Sequence, residues 1–420
     1  MDPAPPQRRR PMLSRRVFLT RAAGAGITTG GLGAMLAGFG PKAAAPPAQV
    51  RIPAPGSPVT WPISASNPLL PSGKLAERNA TLKVFCWTDR VNPRCLDDFA
   101  QKYGCQVELT SFGTFGQALA SLAGGRDIFD VLLGAPAYMV GQLVGKGLLR
   151  PLNHSYLPNL RHTWPQVASP FYDVGLRYTV PYTVYTTGIA WRRDLIDADP
   201  YAMANGWTFP WVAGARGKTA LLDDYRESVG LALIRAGADI NTTDPYVLDA
   251  AQAQLASLRQ LVGIRVDNNT SAEIAAGQTA VHLAWSGQAA AAPRFLPSGV
   301  PVEAIGYWFP PDGIGPVGND TATVLRGAQS PVLAHLFINY LLDPLSALVN
   351  ISRIGFMQPL TYVTPARLVY EGILPRSLMS TAVLSTYQDH GLKKLRLPVG
   401  ADALWRQIWN SVSARRGKTG

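Results

Sequence analysis

Residues 81–133, TLKVFCWTDRVNPRCLDDFAQKYGCQVELTSFGTFGQALASLAGGRDIFDVLL, decide the fold class. Thr81 to Trp87 has the Leu, Val and Phe content of a buried strand. Asn92-Pro93 then opens a helix that sets Leu96, Phe99, Ala100 and Tyr103 on one face, and Gly104 ends it. Cys105, Val107 and Leu109 alternate with polar residues as a second strand, and a helix covers Ala118 to Leu122. Asp127 to Leu133 reads as a third, more continuously apolar strand. Strand, helix, strand, helix, strand predicts an α/β fold with a parallel sheet. Ligands of such sheets bind beyond the carboxyl ends of the strands, where Trp87 and the Gly134-Ala135-Pro136-Ala137 turn fall.

Further along, a helix spans Tyr138 to Lys146 and stops at Gly147. Tyr178-Thr179-Val180-Pro181-Tyr182 begins an apolar, β-branched stretch through Trp191 that crosses to a second lobe. There the alternation resumes, with a strand over Thr219 to Leu222, helices over Tyr225 to Ala236 and Pro245 to Leu261, and a strand over Thr279 to Trp285. Ala322 to Leu325 reads as a return strand, and Pro331 to Leu342 as a strongly apolar helix ended by Asp343-Pro344. No internal repeat relates the two lobes, so they would be alike in architecture only.

Upstream, Ser14-Arg15-Arg16-Val17-Phe18-Leu19-Thr20 heads an uncharged stretch, Ala22 to Gly40, that holds seven glycines. An arginine pair before Phe-Leu, with Arg8, Arg9 and Arg10 ahead of it, is a twin-arginine export address. The stretch is too glycine-rich for a stable spanning helix of roughly 20 strongly apolar residues. Ala43-Ala44-Ala45 offers small residues for cleavage, followed by Pro46, so cleavage and retention as an anchor both stay open. Residues 46–74 hold eight prolines and read as an extended tether, with folded structure starting near Ala80. The expected location is extracytoplasmic, in the periplasm or on the outer face of the cytoplasmic membrane.

Charge follows the same division. The chain carries a formal net charge of +12, of which residues 1–45 supply +6. The rest is a mild bias over a long chain, without a run of Lys and Arg interleaved with aromatics, and does not call for nucleic acid. Three cysteines are too few for a disulfide framework. Cys95 and Cys105 would stand about 15 Å apart on one helix, beyond a disulfide's reach of roughly 7 Å. The remaining choices are a Cys86–Cys95 bridge or three buried thiols.

Asp224-Tyr225-Arg226-Glu227 follows a strand and opens a helix. One reading is a capping box, each carboxylate satisfying a free backbone N–H. The other is a ligand site at a strand's carboxyl end, where two acids could hold a primary ammonium and neighbouring aromatics add cation–π attraction of about 0.5–2 kcal/mol. Trp87 and Trp285 end strands in different lobes and could line such a ligand. Asp320, in the glycine-rich Gly313 to Asp320 segment expected to be flexible, is a third candidate acid. Catalytic templates fail. The five histidines show no metal spacing, His282 alternates inside a strand as a structural residue, and Gly-x-Ser-x-Gly, His-Glu-x-x-His and phosphate-loop motifs are missing. The expectation is no enzyme, no cofactor and no metal.

Over nearly all of residues 80–410 the chain resembles the spermidine/putrescine-binding proteins of ABC importers. The likeness rests on Phe85-Cys86-Trp87-Thr88-Asp89, Asp130-Val131-Leu132-Leu133, Tyr178-Thr179-Val180-Pro181-Tyr182, Leu221-Leu222-Asp223-Asp224-Tyr225-Arg226-Glu227, Asn241-Thr242-Thr243-Asp244-Pro245, Ala284-Trp285-Ser286-Gly287 and Phe337-Ile338-Asn339-Tyr340-Leu341-Leu342-Asp343-Pro344. The resemblance implies a two-lobed flytrap fold that delivers a small cationic amine to the transmembrane permease. It implies that Asp224 and Glu227 hold one amine, that Trp285 and Trp87 line its methylenes, and that Asp320 meets another amine. Phe356 falls where the family tends to have Tyr. Other departures are larger: Arg90 stands for an aromatic, Ala135 and Ala137 for hydroxyl and aromatic groups, Gly318 for a second Trp, and Arg396 for an amide. A guanidinium near a second ammonium would repel it, by an amount of order kilocalories per mole in a partly dry cleft. The alternative ligand is therefore a shorter amine, or an amino-carboxylate bound through Arg90 or Arg396.

The expected organisation is a signal peptide over 1–45, a tether over 46–79, lobe 1 over 80–181, lobe 2 over 182–318, a lobe 1 return over 319–361, C-terminal helices of lobe 2 over 362–412 and a basic tail over 413–420. Hinges would lie near Pro181, Gly318 and Phe356, and the protein is expected as a monomer. The rival classes are a twin-arginine-exported enzyme and a sensory or scaffolding relative whose cleft no longer binds.

Overall fold

A computed structural model describes residues 51–125 and 128–413 of the chain. The twin-arginine stretch, Asp127 and the tail after Ser413 lie outside the described residues.

The opening strand β1 (Thr81–Trp87) is sited where its apolar run predicts. The following helix, Pro93–Tyr103, is capped at its start by the Asn92 side chain and ends at Gly104 in the left-handed conformation. β2 (Gln106–Phe112) and β3 (Val131–Pro136) pair parallel to either side of β1. β3 begins at Val131, and Asp130 just before it binds backbone through its carboxylate. It accepts N–H bonds from Lys83 at 2.8 Å, Gln329 at 2.7 Å and Ser330 at 2.8 Å, tying β1 to the residues that open the helix Pro331–Leu341.

β4 (Val180–Arg192) is the crossover, thirteen residues long and buried throughout. A second parallel trio follows, β5 (Thr219–Leu221), β6 (Ile264–Val266) and β7 (Val281–Trp285), then β8 (Ile305–Trp308) and β9 (Val317–Val324). The order is β2-β1-β3-β9-β4-β7-β5-β6, with β8 also on β4. Val180–Thr186 of β4 pairs antiparallel with β9, whereas Thr187–Trp191 pairs with β7. One strand thus passes from one lobe's sheet into the other's. The first lobe carries the parallel trio expected; the second adds β6 (Ile264–Val266), which the sequence reading lacks, to the two strands expected there, and antiparallel β4 and β9 join the two. β9 also corrects the flexible Gly313 to Asp320 segment: Asp320 lies within a buried strand, because β3 and β4 take both of its edges.

Core packing follows the side-chain alternation of the strands. In β1, Leu82, Val84 and Cys86 face a cluster with Cys95, Phe99, Leu333 and Phe337, while Phe85 faces the opposite cluster with Phe112, Phe115 and Leu132. The second lobe centres on Trp191, Phe209, Leu221 and Leu255, closed over by Trp405 and Trp409 of the helix Val399–Ser413. Val363, Leu368 and Leu378 pack in a cluster that draws on both parts of the chain, with Leu82 and Phe99 as well as Ala284 and Tyr307. The three cysteines are free thiols, so the Cys86–Cys95 bridge is absent; burial pushes the Cys86 thiol up to about 12.

The proline-rich stretch is docked onto the fold, not a free tether. Val59, Trp61 and Leu70 are buried, Trp61 Nε1–H donates to the Tyr172 carbonyl at 2.8 Å, and Glu77 caps the helix Pro331–Leu341 through Val332 N–H and Leu333 N–H. Its prolines prevent a helix, but a backbone without regular structure can still bury an indole. Trp61→Ala should lower unfolding free energy by about 3 kcal/mol in urea denaturation. An unchanged midpoint would show that the stretch is only laid on the surface.

His282 is fully buried in β7, with its Nδ1–H on the Leu283 carbonyl at 2.7 Å and no partner at Nε2. Burial holds its pKa down to about 4, so the folded state cannot take the proton that the unfolded state takes below about 6.5. Stability should therefore fall by roughly 3 kcal/mol as pH drops from 7 to 4, and His282→Leu should flatten that slope. Equal slopes in the two proteins would exclude His282 as its source.

Candidate functional site

The site forms at the seam where β1, β4, β7 and β9 meet. After Trp87 the chain turns through Asp89 in the left-handed region, with Arg90 N–H on the Trp87 carbonyl at 3.1 Å. Tyr182 O–H donates to the Arg90 carbonyl at 2.5 Å and fixes the turn from β4. Gly134 gives the turn room, since a Cβ there would approach Trp87 Cβ to 2.8 Å. Arg90 is thereby driven inward, to 4% exposure.

Its guanidinium lies in an aromatic box. Cζ stands 3.5 Å from the Phe356 ring centre, 5.4 Å from Trp285 and 6.0 Å from Trp87, all within cation–π range. The rings meet edge to face: Trp87 and Trp285 at 6.2 Å, Tyr185 and Trp285 at 6.1 Å, Tyr185 and Phe356 at 6.0 Å. Arg90 Nε also pairs with Asp320 Oδ2 at 3.4 Å, and Thr183 O–H donates to the same oxygen at 3.3 Å. Burial raises the Asp320 pKa, and Arg90 opposes that rise.

Glu227, 3% exposed, lies on the other side of Trp285. It accepts from Trp285 Nε1–H at 2.7 Å and Thr187 O–H at 3.0 Å, and it forms a close ion pair with Lys394. Lys394 Nζ also lies 5.6 Å from the Tyr185 ring centre. Asp224 is half-buried and caps its helix, accepting from Arg226 N–H at 2.8 Å and Glu227 N–H at 3.2 Å. The capping box is thus only half made: Asp224 caps, while Glu227 turns into the cleft. Burial and the Glu227 charge raise the Asp224 pKa, with Lys394 opposing.

Three spaces adjoin this centre. One of about 580 Å³ opens on Arg90, Trp87, Trp285 and Phe356. A second, of about 400 Å³, lies between Trp87, Tyr138, Asp224 and Arg396. A third, of about 130 Å³, is lined by Ala137, Tyr138, Tyr172, Tyr185, Lys393 and Lys394, among others. Burial lowers the Lys393 pKa to about 8.

Trp87, Arg90, Glu227, Trp285, Asp320 and Phe356 therefore converge, and Asp224, Arg396 and Ala137 line the adjoining spaces. Ala135 does not face them: it is fully buried in the core, with its carbonyl accepting from Thr321 O–H at 3.0 Å. Arg90 already has one carboxylate partner, Asp320, held through its Nε. Gly318, where an aromatic was expected, is filled from its partner strand: a Cβ there would collide with the Tyr185 ring, and the two residues are paired in the ladder. Tyr185 and Lys394 escape sequence reasoning, since only strand pairing and the return of residues 391–398 bring them to the seam. Among the described residues no group of three or more His, Cys, Asp or Glu could hold a metal ion.

Residues 95–363 match the family of bacterial extracellular solute-binding proteins. The chain is 29% identical to spermidine/putrescine-binding periplasmic protein 1 of Haemophilus influenzae, over 67% of this chain and 76% of that protein. It is 25% identical to the putrescine/cadaverine-binding protein of Pseudomonas aeruginosa, over 78% of this chain and 93% of that one. Among solved structures, the TpPotD lipoprotein of Treponema pallidum aligns with a TM-score of 0.68 at 22% identity, over 80% of this chain and 100% of that chain. That likeness speaks for the fold.

The Arg90–Asp320 pair is buried on both sides, so breaking it strands a charge. Asp320→Asn should cost about 3–5 kcal/mol, and Arg90→Met/Asp320→Asn clearly less than the sum of its two single changes. Additive effects in a denaturation cycle would show that the two groups are not coupled.

Proposed function

The chain belongs to the bacterial extracellular solute-binding proteins, and we propose that within that family it is the extracytoplasmic receptor of an ABC importer for a polyamine-class amine. The putrescine and spermidine in the names of its relatives support that ligand class. The observation that carries the reading is the Arg90 guanidinium itself. A box of Phe356, Trp285 and Trp87 closed by Asp320 accommodates a cation attached to an apolar stem, which is what an alkylammonium is.

On this reading the ligand enters between lobe 1 (80–181 and 319–361) and lobe 2 (182–318 and 362–412). Closure by a hinge near Pro181, Gly318 and Phe356 is favoured because the ligand touches both lobes. Trp87, Asp320 and Phe356 would serve one end of the cleft; Asp224, Glu227 and Trp285 the other. Export through the twin-arginine translocase, a monomeric state and docking on the permease's transmembrane subunits complete the proposal. Affinity of micromolar or better, about −8 kcal/mol, suits such a task.

Thermal unfolding against polyamines, monoamines, amino acids and ω-amino-carboxylates tests it. At least one amine should stabilise the protein, by about 2.7 kcal/mol at 100 times its Kd, and Trp285→Ala should remove the effect. A panel without any response would sink the amine reading.

A further inference from the structure

Two of the three cleft acids already hold a cation of the protein: Asp320 has Arg90, and Glu227 has Lys394. A ligand with an ammonium at each end finds one acid, Asp224, without a cation, and its other end would have to break one of the two buried pairs. Among the described residues Asp224 alone of the three pairs with no cation, and it faces the 400 Å³ space.

Tyr138 is the shared wall between that space and the 130 Å³ cavity. The cavity is lined by Lys393 and Lys394 and by no carboxylate. It also leaves polar groups unmet. Gln388 Oε1 accepts from Lys393 Nζ at 2.9 Å, while Gln388 Nε2 is buried without a partner. Gln166 Oε1 is likewise buried without a partner. An ammonium has three N–H donors, so Lys394 can serve Glu227 and a second acceptor at once. Two ammonium groups, an unmet amide N–H and three phenols, in a cavity with room for a carboxylate and a short chain, are the chemistry of an anion site.

Given the amine reading above, on which this rests, we propose that the ligand's other end is a carboxylate seated in this cavity against Lys393, Lys394 and the Gln388 amide, with its amine directed past Tyr138 toward Asp224. The ligand class is then an ω-amino-carboxylate of polyamine-like chain length.

Calorimetric titration of the exported chain compares 4-aminobutyrate and 5-aminovalerate with putrescine and cadaverine. The amino-carboxylates should bind at least about tenfold tighter than the diamines. Lys393→Gln should weaken them by about tenfold or more with an unchanged circular dichroism spectrum. Because Lys394→Met alone strands Glu227, the double variant Lys394→Met/Glu227→Gln, which removes the pair together, should weaken them as well. Diamines that bind as tightly as the amino-carboxylates would overturn the inference and leave the amine receptor standing. An amino-carboxylate preference that survives both variants overturns the placement in the cavity, and silence across all four ligands overturns the inference and the amine reading together.

Discussion

A carboxylate taken out of water must be paired or it gives up its charge, and this constraint governs the seam of the molecule. Glu227 and Asp320 are both nearly inaccessible, and each has a cation brought from a distant part of the chain. Arg90 comes from the turn after the first strand, 230 residues from Asp320 in sequence, and Lys394 from a return segment 167 residues beyond Glu227. Both acids sit where they do because β4 runs through the two lobes and presents Thr183 to Asp320 and Thr187 to Glu227.

The aromatic rings reach the same place through the absence of side chains elsewhere. Phe356 lies against Gly287 and Tyr185 against Gly318, and a Cβ at either glycine would collide with the ring. Gly134 does the same service for the turn that carries Arg90. In each case the ring or guanidinium belongs to one segment and the glycine to another, so the box depends on the packing of segments rather than on any local motif. Phe356 also belongs to the second lobe's core cluster, which binds the site to the stability of that lobe.

What was legible in the sequence was local. Asn92-Pro93 and Gly104 bound their helix as read, and Pro245 to Leu261 is a helix from end to end, because caps and prolines act on their immediate neighbours. Trp87 and Trp285 at strand ends were readable for the same reason. Asp320 was misplaced in a loop because the glycines around it lower strand propensity, and the ladders from β3 and β4 that override this are invisible in one dimension. The proline-rich stretch misled in the opposite sense: proline excludes helix but not burial, and Trp61 is buried all the same. Lys394 carries no sequence signal, since two adjacent lysines ordinarily read as solvated surface.

On the proposal above, a cleft in which Asp320 and Glu227 already hold cations selects ligands by net charge. A dication that enters without expelling Arg90 or Lys394 adds uncompensated positive charge to a region of low polarity, at a cost that burial enlarges. If it does expel them, their charges must be solvated again elsewhere, which cancels much of what the ligand gains. A zwitterion adds no net charge, leaves both internal pairs in place, and its carboxylate can accept from the unsatisfied Gln388 amide N–H beside Lys393. On the proposal above, Lys393 and Lys394 change the class of ligand the scaffold prefers, while the rings and the sheet stay as they are.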